Sequence, residues 1–296
     1  SGDSDVPGSA QLVIELADDL VGFRHGHIHS LYKKVQASDT FTVAGCIEPD
    51  GAARKQAEEK LGAVFSEIPY EAWLKTDIDA VAIGTAYGKR GEAICKALQA
   101  GKHVLSDKPI CTSMSELSEI RRLTGETGKK LGCMLDLRDL GQVQTASALL
   151  HSGRLGEIRN IAVNGQHCID YAHRPAWYFE AGMHGGTIND IAIHAMDALT
   201  WVTGSAFSET LFARQWNDYA TEVPQFKDSA QFNGLLANGA AVMGDVSYAA
   251  PTAGFSLPSY WRFTFWGTRG YLECKVGSDT LIAAVAGEAQ PRVIKL

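Results

Sequence analysis

Short apolar runs alternate with helical stretches over the first half of the chain, and this alternation constrains the fold more than any other feature. Strands are predicted at residues 11–16, 42–47, 80–84, 103–105 and 131–135, and helices at 52–61, 90–100 and 113–127. Strands and helices of these lengths, in this order, are typical of βαβ units. We therefore predict a doubly wound parallel sheet, which binds ligands at the carboxyl ends of its strands.

Beyond about residue 140 the pattern changes to hairpins. Asn238-Gly239 divides an apolar run at 235–242, and Gly267 to Gly270 divide another at 262–273. Turn residues between such runs predict antiparallel pairs. Trp261, Phe263 and Phe265 also alternate along one of these strands. We predict a first domain over residues 10–137 and a C-terminal α+β domain over 138–296, with a large, open, mostly antiparallel sheet.

Composition narrows the classes of partner. The chain has 296 residues and a formal net charge of −7, with no long basic run. This balance argues against nucleic acid or an anionic membrane as the main partner and favours a small neutral or polar substrate. No segment approaches the roughly 20 apolar residues of a membrane span, and the polar N-terminal residues are unlike a signal peptide.

The cysteines indicate a reducing compartment. The six cysteines are scattered, and no two form a C-x-x-C pair. This spacing predicts neither a zinc site nor a disulfide framework, and most of the thiols fall inside apolar runs. We interpret them as buried thiols of a cytoplasmic protein. No metal site is predicted, because the histidines lack a second histidine or cysteine at a ligand spacing.

A helix predicted after Gly185-Gly186 separates polar from apolar side chains. One face carries the polar residues and Trp201, and the opposite face is apolar. The first consists of Asp190, His194, Asp197 and Trp201, and the second of Ile188, Ile191, Ala195, Leu199 and Val202. A carboxylate and an imidazole one turn apart can offer an oriented proton acceptor to a bound molecule. The alternative is structural: Thr187 and Asp190 form a capping box, and the polar stripe faces water.

Two residues at predicted strand ends carry charges useful to a nucleotide or substrate. Lys108 follows the strand at 103–105 and precedes Pro109, where a strand-end catalytic cation would lie. Glu48 ends the strand at 42–47, 26 residues after Gly22. An acid there can accept ribose hydroxyls and repel the extra phosphate of NADP. The alternatives are a surface turn lysine and a solvated turn acid.

The turn after the first strand is an incomplete glycine fingerprint. Gly22-Phe23-Arg24-His25-Gly26 retains only two glycines of the pattern G-x-G-x-x-G. By itself it is a helix-opening loop, although Arg24 can donate a bidentate pair to phosphate. Thr85 and Tyr87 follow the strand at 80–84 and either touch the nucleotide or cap the next helix.

Four residues are candidates for holding a substrate: Arg138, His167, Arg174 and Trp177. The run from 173 to 179 is rich in hydrogen-bonding and stacking groups, although buried aromatic residues are more often core. Arg138 either reaches a cleft or forms an ion pair that joins the domains.

Two segments together resemble the signature blocks of a known family. Residues 101–109 and the helix from Gly185 leading to Gly204 are similar to those of the Gfo/Idh/MocA family, the glucose-fructose oxidoreductase and inositol dehydrogenase-like proteins. The resemblance covers nearly the whole chain. It implies a Rossmann domain followed by an α/β domain whose open sheet makes oligomer contacts, and NAD(P)-dependent oxidation of a sugar or polyol. The family's catalytic lysine, aspartate and histidine match Lys108, Asp190 and His194.

The chain departs from the family pattern at three places. The glycine fingerprint is broken at 22–27, Asp107 replaces the usual glutamate before Lys-Pro, and Arg90 stands where a histidine is common after the third strand. These departures bear on cofactor binding more than on the fold.

We expect a cytoplasmic NAD-dependent dehydrogenase of a sugar or polyol, forming a homo-oligomer through the C-terminal sheet. His194 would accept the hydroxyl proton, Lys108 would stabilise the alkoxide, and Asp190 would orient the reacting groups. The expected cofactor-binding residues are Gly22, Phe23, Arg24, His25, Glu48, Thr85, Tyr87 and Lys108. If NADP binds instead, Arg54 is the compensating cation. The alternative function, which the broken loop favours, is a catalytically idle ligand sensor or partner subunit.

Overall fold

The computed structural model describes residues 10–15, 26–48, 51–171, 174–251 and 260–296. The loop with Gly22, Phe23, Arg24 and His25 lies outside the described residues. The chain divides into two compact units. The first unit is Ser1–Met134 with His173–Gly185, and the second unit is Leu135–Ala172 with Gly186–Leu296. The second half of the sequence therefore contributes a short segment, His173–Gly185, to the first unit.

The first unit contains the predicted parallel sheet. Its strands are β1 (Ala10–Glu15), β2 (Phe41–Ile47), β3 (Ala80–Ile83), β4 (His103–Ser106) and β5 (Leu131–Cys133). All neighbours pair in parallel, in the order β2-β1-β3-β4-β5. The strand order reverses between β1 and β3, which is where a doubly wound sheet opens a ligand crevice at its carboxyl ends. The fold-class prediction is confirmed for this unit.

Among the residues that the structure describes, five α-helices accompany this sheet. They are α1 (Gly26–Gln36), α2 (Gly51–Leu61), α3 (Tyr70–Trp73), α4 (Tyr87–Gln99) and α5 (Met114–Thr127). Ser113 caps α5: its hydroxyl accepts from the Glu116 amide at 3.2 Å, and the Glu116 carboxylate accepts from the Ser113 amide. A Cβ on Gly91 would lie 2.5 Å from Cδ of Glu116, so this glycine lets α4 and α5 pack closely.

The second unit is built on one eight-stranded sheet. Its strands are β6 (Ile158–Cys168), β7 (Phe207–Trp216), β8 (Ser229–Leu236), β9 (Ala241–Ala250), β10 (Trp261–Gly267), β11 (Gly270–Lys275), β12 (Thr280–Val285) and β13 (Arg292–Lys295). The order is β13-β12-β11-β10-β6-β9-β8-β7, and among the described strands of this sheet only β6 and β9 pair in parallel. Both predicted hairpins are present, as β8–β9 and β10–β11. The predicted open, mostly antiparallel sheet is confirmed.

Helices cover one face of this sheet. They are α6 (Gly141–His151) and α7 (Ile193–Thr203), which continues a π-helical segment at Ile188–Ala192. The alternating aromatic residues Trp261, Phe263 and Phe265 are buried, whereas Trp266 on the other face of β10 is 53% exposed. The alternation predicted for this strand is therefore present. In the described part of the chain, no helix combines the length and hydropathy needed to cross a bilayer.

Candidate active site

Lys108 lies at the carboxyl end of β4, as predicted. The turn that carries it is hydrogen-bonded to the neighbouring strand, since the Asp107 amide donates to the Ile83 carbonyl at 2.9 Å. The Lys108 amide donates to Oδ1 of Asp107 at 2.7 Å, and the Lys108–Pro109 peptide bond is cis. The Lys108 side chain is only 6% exposed. The alternative of a surface turn lysine is therefore wrong.

Arg90, one turn into α4, is buried against the same turn. Its Nη1 donates to the carbonyl oxygens of Lys108 at 2.6 Å and Pro109 at 2.9 Å. Its Nη2 donates to the Thr85 carbonyl at 2.6 Å and lies 3.7 Å from Oδ2 of Asp107. One guanidinium thus connects the loop after β3 with the turn after β4.

Tyr87, the first residue of α4, is the centre of an aromatic cluster. Its ring lies 5.0 Å from the ring of Trp177, 5.9 Å from that of Tyr178 and 5.8 Å from that of His184. Two cations also lie over the Tyr87 ring: Cζ of Arg90 at 4.9 Å from the centroid and Nζ of Lys108 at 5.6 Å. Both distances are within the range of cation–π attraction.

The aromatic residues reach Tyr87 because the segment 174–185 packs against the start of α4. The Gly88 amide donates to the Met183 carbonyl at 2.8 Å. A Cβ on Gly88 would lie 2.6 Å from the Gly182 carbonyl oxygen, so a larger residue would push this segment away. Trp177 is buried here, and Cζ of Arg174 lies 4.6 Å from the Tyr178 ring. These two candidate substrate residues therefore lie in the same unit as Lys108.

Glu48 follows β2 and is completely buried, so the alternative of a solvated turn acid is wrong. Its backbone carbonyl accepts from Nε of Arg54 at 3.1 Å. The Arg54 guanidinium is ion-paired with the exposed carboxylate of Glu67. At the end of β3, a Cβ on Gly84 would lie 3.1 Å from Cδ1 of Ile28, so α1 packs closely there.

Gly185-Gly186 precedes the predicted helix. Their φ values are +76° and +91°, which only glycine adopts without strain. A Cβ on Gly186 would lie 2.4 Å from Oε1 of Gln215, and the same oxygen accepts from the Ile188 amide at 2.8 Å. The Thr187 hydroxyl donates to the Lys227 carbonyl. The capping-box alternative is therefore wrong: Gln215 on β7 supplies the cap, and the first turn is a π-helix.

Asp190 and His194 are both buried, so the alternative of a solvated stripe is wrong for them. The Tyr248 hydroxyl donates to Oδ2 of Asp190. Nδ1 of His194 lies 4.0 Å from Oδ1 of Asp136, and its ring centroid is 6.1 Å from that of Trp261. The 4.0 Å separation is longer than a hydrogen bond, so the Asp136 carboxylate acts on the ring through its charge. A buried imidazole in this setting can exchange a proton with a bound hydroxyl.

His167 lies among aromatic rings of the same unit. Its ring is 3.9 Å from the ring of Tyr260, 5.6 Å from that of Trp261 and 6.3 Å from that of Tyr248. Sequence reasoning missed Asp136, Tyr248 and Tyr260. Tyr248 falls on the buried side of β9, but only the parallel pairing of β6 with β9 brings it next to His167. No local sequence signal indicates that pairing.

Arg138 forms an ion pair inside the second unit. Its Nε donates to Oδ2 of Asp197 at 2.6 Å, and the hydrogen-bonded carboxylate raises the pKa of the guanidinium above its usual value. Because Asp197 also lies in the predicted C-terminal domain, this pair does not join the predicted domains.

Two family models match most of the chain. The oxidoreductase family with an NAD-binding Rossmann fold matches residues 20–134, and the GFO/IDH/MocA C-terminal domain matches residues 143–273. The chain belongs to the Gfo/Idh/MocA family. The resemblance on the two sequence blocks is thereby confirmed.

Named relatives within the Gfo/Idh/MocA family include two sugar and polyol enzymes. The chain is 33% identical over 130 residues to 1,5-anhydro-D-fructose reductase of Ensifer adhaerens, covering 43% of this chain and 38% of that protein. It is 27% identical over 205 residues to inositol 2-dehydrogenase of Serratia proteamaculans, covering 68% and 57%. The chain thus spans less than two thirds of the length of these curated relatives.

A solved structure shows the same fold. An oxidoreductase from Agrobacterium radiobacter, in complex with NAD+, L-tartaric acid and magnesium, has a TM-score of 0.78 and 18% identity, covering 97% of this chain and 79% of that one.

Two departures from the Gfo/Idh/MocA pattern meet in the structure. Arg90 and Asp107 belong to one buried group of charges around the Lys108 turn. The third departure, at 22–27, falls largely outside the described residues. Among the described residues, no group of three or more His, Cys, Asp or Glu side chains is placed to hold a metal ion.

Proposed function

We propose that this protein is an NAD(P)-dependent oxidoreductase that transfers a hydride between a secondary alcohol of a sugar, polyol or inositol-like molecule and nicotinamide. The observation that carries the proposal is Lys108, held by buried hydrogen bonds at the carboxyl end of β4 in a sheet of the NAD-binding type. The names of the two curated relatives support the substrate class.

The strand ends of the first unit fit a dinucleotide. Glu48 is buried at the end of β2, where an acid accepts the ribose hydroxyls in such sheets. Thr85 lies at the end of β3, next to the point where the strand order reverses. When bound, the nicotinamide C4 supplies or accepts the hydride. Glu48, Thr85, Tyr87 and Lys108 would hold the nucleotide, together with the loop at 22–25.

In the proposed mechanism the chain moves one proton and stabilises one oxyanion. His194 accepts the proton of the substrate hydroxyl, with Asp136 beside its Nδ1 to stabilise the imidazolium. Lys108 stabilises the developing alkoxide with its ammonium group. Asp190, whose carboxylate accepts from Tyr248, orients the reacting groups. Arg138, His167, Arg174 and Trp177 remain candidates for substrate contacts.

Calorimetry with NAD and NADP tests the proposal directly. We expect NAD to bind with micromolar or weaker affinity, about −8 kcal/mol or less favourable, because the fingerprint loop is incomplete. Oxidation of a sugar and polyol panel, followed by NADH fluorescence, then identifies the substrate. If no nicotinamide cofactor binds at millimolar concentration, the dehydrogenase proposal fails and the ligand-sensor or partner-subunit alternative replaces it.

We further propose that NAD is preferred over NADP. In this proposal the Glu48 carboxylate repels a 2′-phosphate, and the Arg54 guanidinium does not attract one because it is paired with Glu67. In the wild type, NADP should have the larger dissociation constant. Glu48→Gln should lower the ratio of the NADP dissociation constant to the NAD dissociation constant by about tenfold, which is about 1.4 kcal/mol. Glu59→Gln, which removes an exposed charge from the same unit without touching the Arg54–Glu67 pair, is the matched control. Equal binding of NAD and NADP to the wild type would contradict this preference.

A homo-oligomer through the outer face of the eight-stranded sheet is also proposed. The face not covered by helices carries exposed apolar side chains, Met243, Trp266, Ile282 and Val293. Large exposed apolar groups that continue across neighbouring strands are typical of interaction surfaces. Trp266→Glu should lower the molar mass measured by light scattering, whereas Val64→Glu in the first unit should not. A monomeric wild type would contradict this proposal.

A further inference from the structure

Arg90 has no part in the reaction proposed above, yet it is among the largest fully buried side chains of the protein. A buried guanidinium is costly unless hydrogen bonds and charges compensate it. Here the compensation comes from three backbone carbonyls, of Thr85, Lys108 and Pro109, and from the nearby carboxylate of Asp107. All of these groups belong to the two loops that end β3 and β4.

Only an arginine can make this set of contacts. Its guanidinium is planar and carries five N–H donors in a fixed fork, so Nη1 and Nη2 can donate to acceptors on two different loops at once. A lysine presents one nitrogen, and an imidazole presents at most two donors that point in opposite directions. The three short hydrogen bonds, 2.6, 2.6 and 2.9 Å, therefore depend on the residue type at position 90.

The same side chain also lies over the ring that the lysine ammonium contacts. Arg90 and Lys108 both contact the ring of Tyr87, with the carboxylate of Asp107 within 3.7 Å of the guanidinium. The Tyr87 ring is fixed in turn by Trp177, Tyr178 and His184. The main chain of Lys108 is thus held by Arg90, and its side chain lies over a ring that Arg90 also contacts.

We propose that Arg90 is a positioning residue for Lys108: it fastens the Lys108–Pro109 turn to the loop after β3 and thereby places the ammonium group for oxyanion stabilisation. The inference rests on the proposed function of Lys108. A displacement of about 1 Å in a catalytic group can cost about 10²-fold in rate, so an indirect contact of this kind has a measurable kinetic effect.

A double-mutant cycle with Lys108 tests whether Arg90 acts through it. Arg90→Met keeps an unbranched apolar stem and removes every donor. In the wild-type background it should lower kcat by about 10²-fold. In the Lys108→Met background the same change should lower kcat by less than about threefold, because the group that it positions is gone. Equal losses in both backgrounds would overturn the proposal.

Two variants separate positioning from stability. Ile94→Ala removes buried apolar contacts from the same helix and lowers the melting temperature without touching either loop. Its kcat should stay within about twofold of the wild type. Arg90→Lys keeps the charge but loses the fork, and it should recover no more than about tenfold of the lost kcat. If Ile94→Ala lowers kcat as much as Arg90→Met does, Arg90 is merely structural.

Hydrogen exchange supplies a readout that needs no substrate. The amides of Asp107 and Lys108 are protected by hydrogen bonds to the Ile83 carbonyl and the Asp107 carboxylate. Arg90→Met should raise the exchange rates of these two amides by about tenfold or more. The reference is Ile94→Ala, measured under conditions in which the two variants have the same free energy of unfolding. Unchanged exchange would overturn the proposal even if no dehydrogenase activity is found. Raised exchange in a protein without dehydrogenase activity would instead count against the proposed function alone.

Discussion

Lys108 and His194 are held in two different ways. Lys108 lies in a turn at a strand end, and its main chain is fixed by polar contacts with Arg90 and Asp107. His194 lies on α7, within 4.0 Å of the Asp136 carboxylate and next to the ring of Trp261. The parallel sheet thus presents its candidate group on a loop, and the antiparallel unit presents its candidate group on a helix packed over the sheet.

The difference teaches what the loss of one hydrogen-bond partner does in each unit. A turn held by hydrogen bonds to backbone carbonyls can move when one donor is removed, while the sheet beneath it stays folded. A helix whose polar residues are buried cannot lose a partner without a cost to the free energy of unfolding. We therefore expect substitution of Lys108 itself to affect turnover more than stability, and substitutions near Asp190 to affect both.

The largest expected effect is on turnover. Lys108→Met and His194→Gln should each lower kcat by about 10²-fold or more, because the first removes the charge that stabilises the oxyanion and the second removes the proton acceptor. Steady-state rates with a verified substrate measure this, with Lys130→Met as the control for a lost lysine charge. Normal turnover in Lys108→Met would contradict the comparison of Lys108 with His194 as two catalytic groups, because Lys108 would then take no part in the chemistry.

The next effect is on stability in the second unit. Tyr248→Phe removes the hydroxyl that donates to the buried Asp190 carboxylate, and it should lower the free energy of unfolding by about 1–3 kcal/mol. Tyr271→Phe is the matched control, since its hydroxyl donates at 2.7 Å to Glu273 in a half-buried position and should cost less than about 1 kcal/mol. Urea denaturation of both variants measures the difference. Equal costs would show that burial of Asp190 adds nothing.

A similar contrast applies to the glycine before the helix. Gly186→Ala places a Cβ at φ +91° and against the Gln215 amide, so it should destabilise the protein by about 1–3 kcal/mol. Gly153→Ala also has a positive φ, of +70°, but meets no atom within 4 Å, and it should cost about 1 kcal/mol. Thermal denaturation compares the two variants. If both cost the same, the contact with Gln215 does not restrict the start of the helix.

The smallest effect uses one cysteine from each unit. Burial raises the pKa of Cys46 in the first unit and of Cys274 in the second to about 12. Since an unfolded thiol ionises near pH 8.5, the two contributions to stability are complete below that pH and are lost as the pH rises toward 12. At pH 8, labelling of each thiol by iodoacetamide should therefore require opening of its own unit. Rapid labelling of either thiol in the native protein would contradict its burial.

Much of the first unit follows from local sequence. The predicted strands and helices agree with the structure to within about three residues, because turns and apolar periodicity are local properties. The start of α4 shows the limit of this reasoning. The helix begins at Tyr87, three residues before the predicted start, because Gly88 and Gly91 weaken the helical pattern in the sequence. The structure explains the two glycines by close packing against Met183 and Glu116. The domain bounds at 137/138 and the roles of the site residues stay predictions.

The sequence by itself determined the fold class, the two hairpins, the family, and the placement of Lys108 at a strand end. These depend on short-range patterns and on motifs that each occupy about 20 consecutive residues or fewer. Tertiary structure alone decided the environment of each candidate group. Arg90 reaches the Lys108 turn from 18 residues away, and Tyr248 reaches Asp190 from 58 residues away. Such contacts depend on the order of the strands in each sheet. That order cannot be predicted from the local patterns of one sequence.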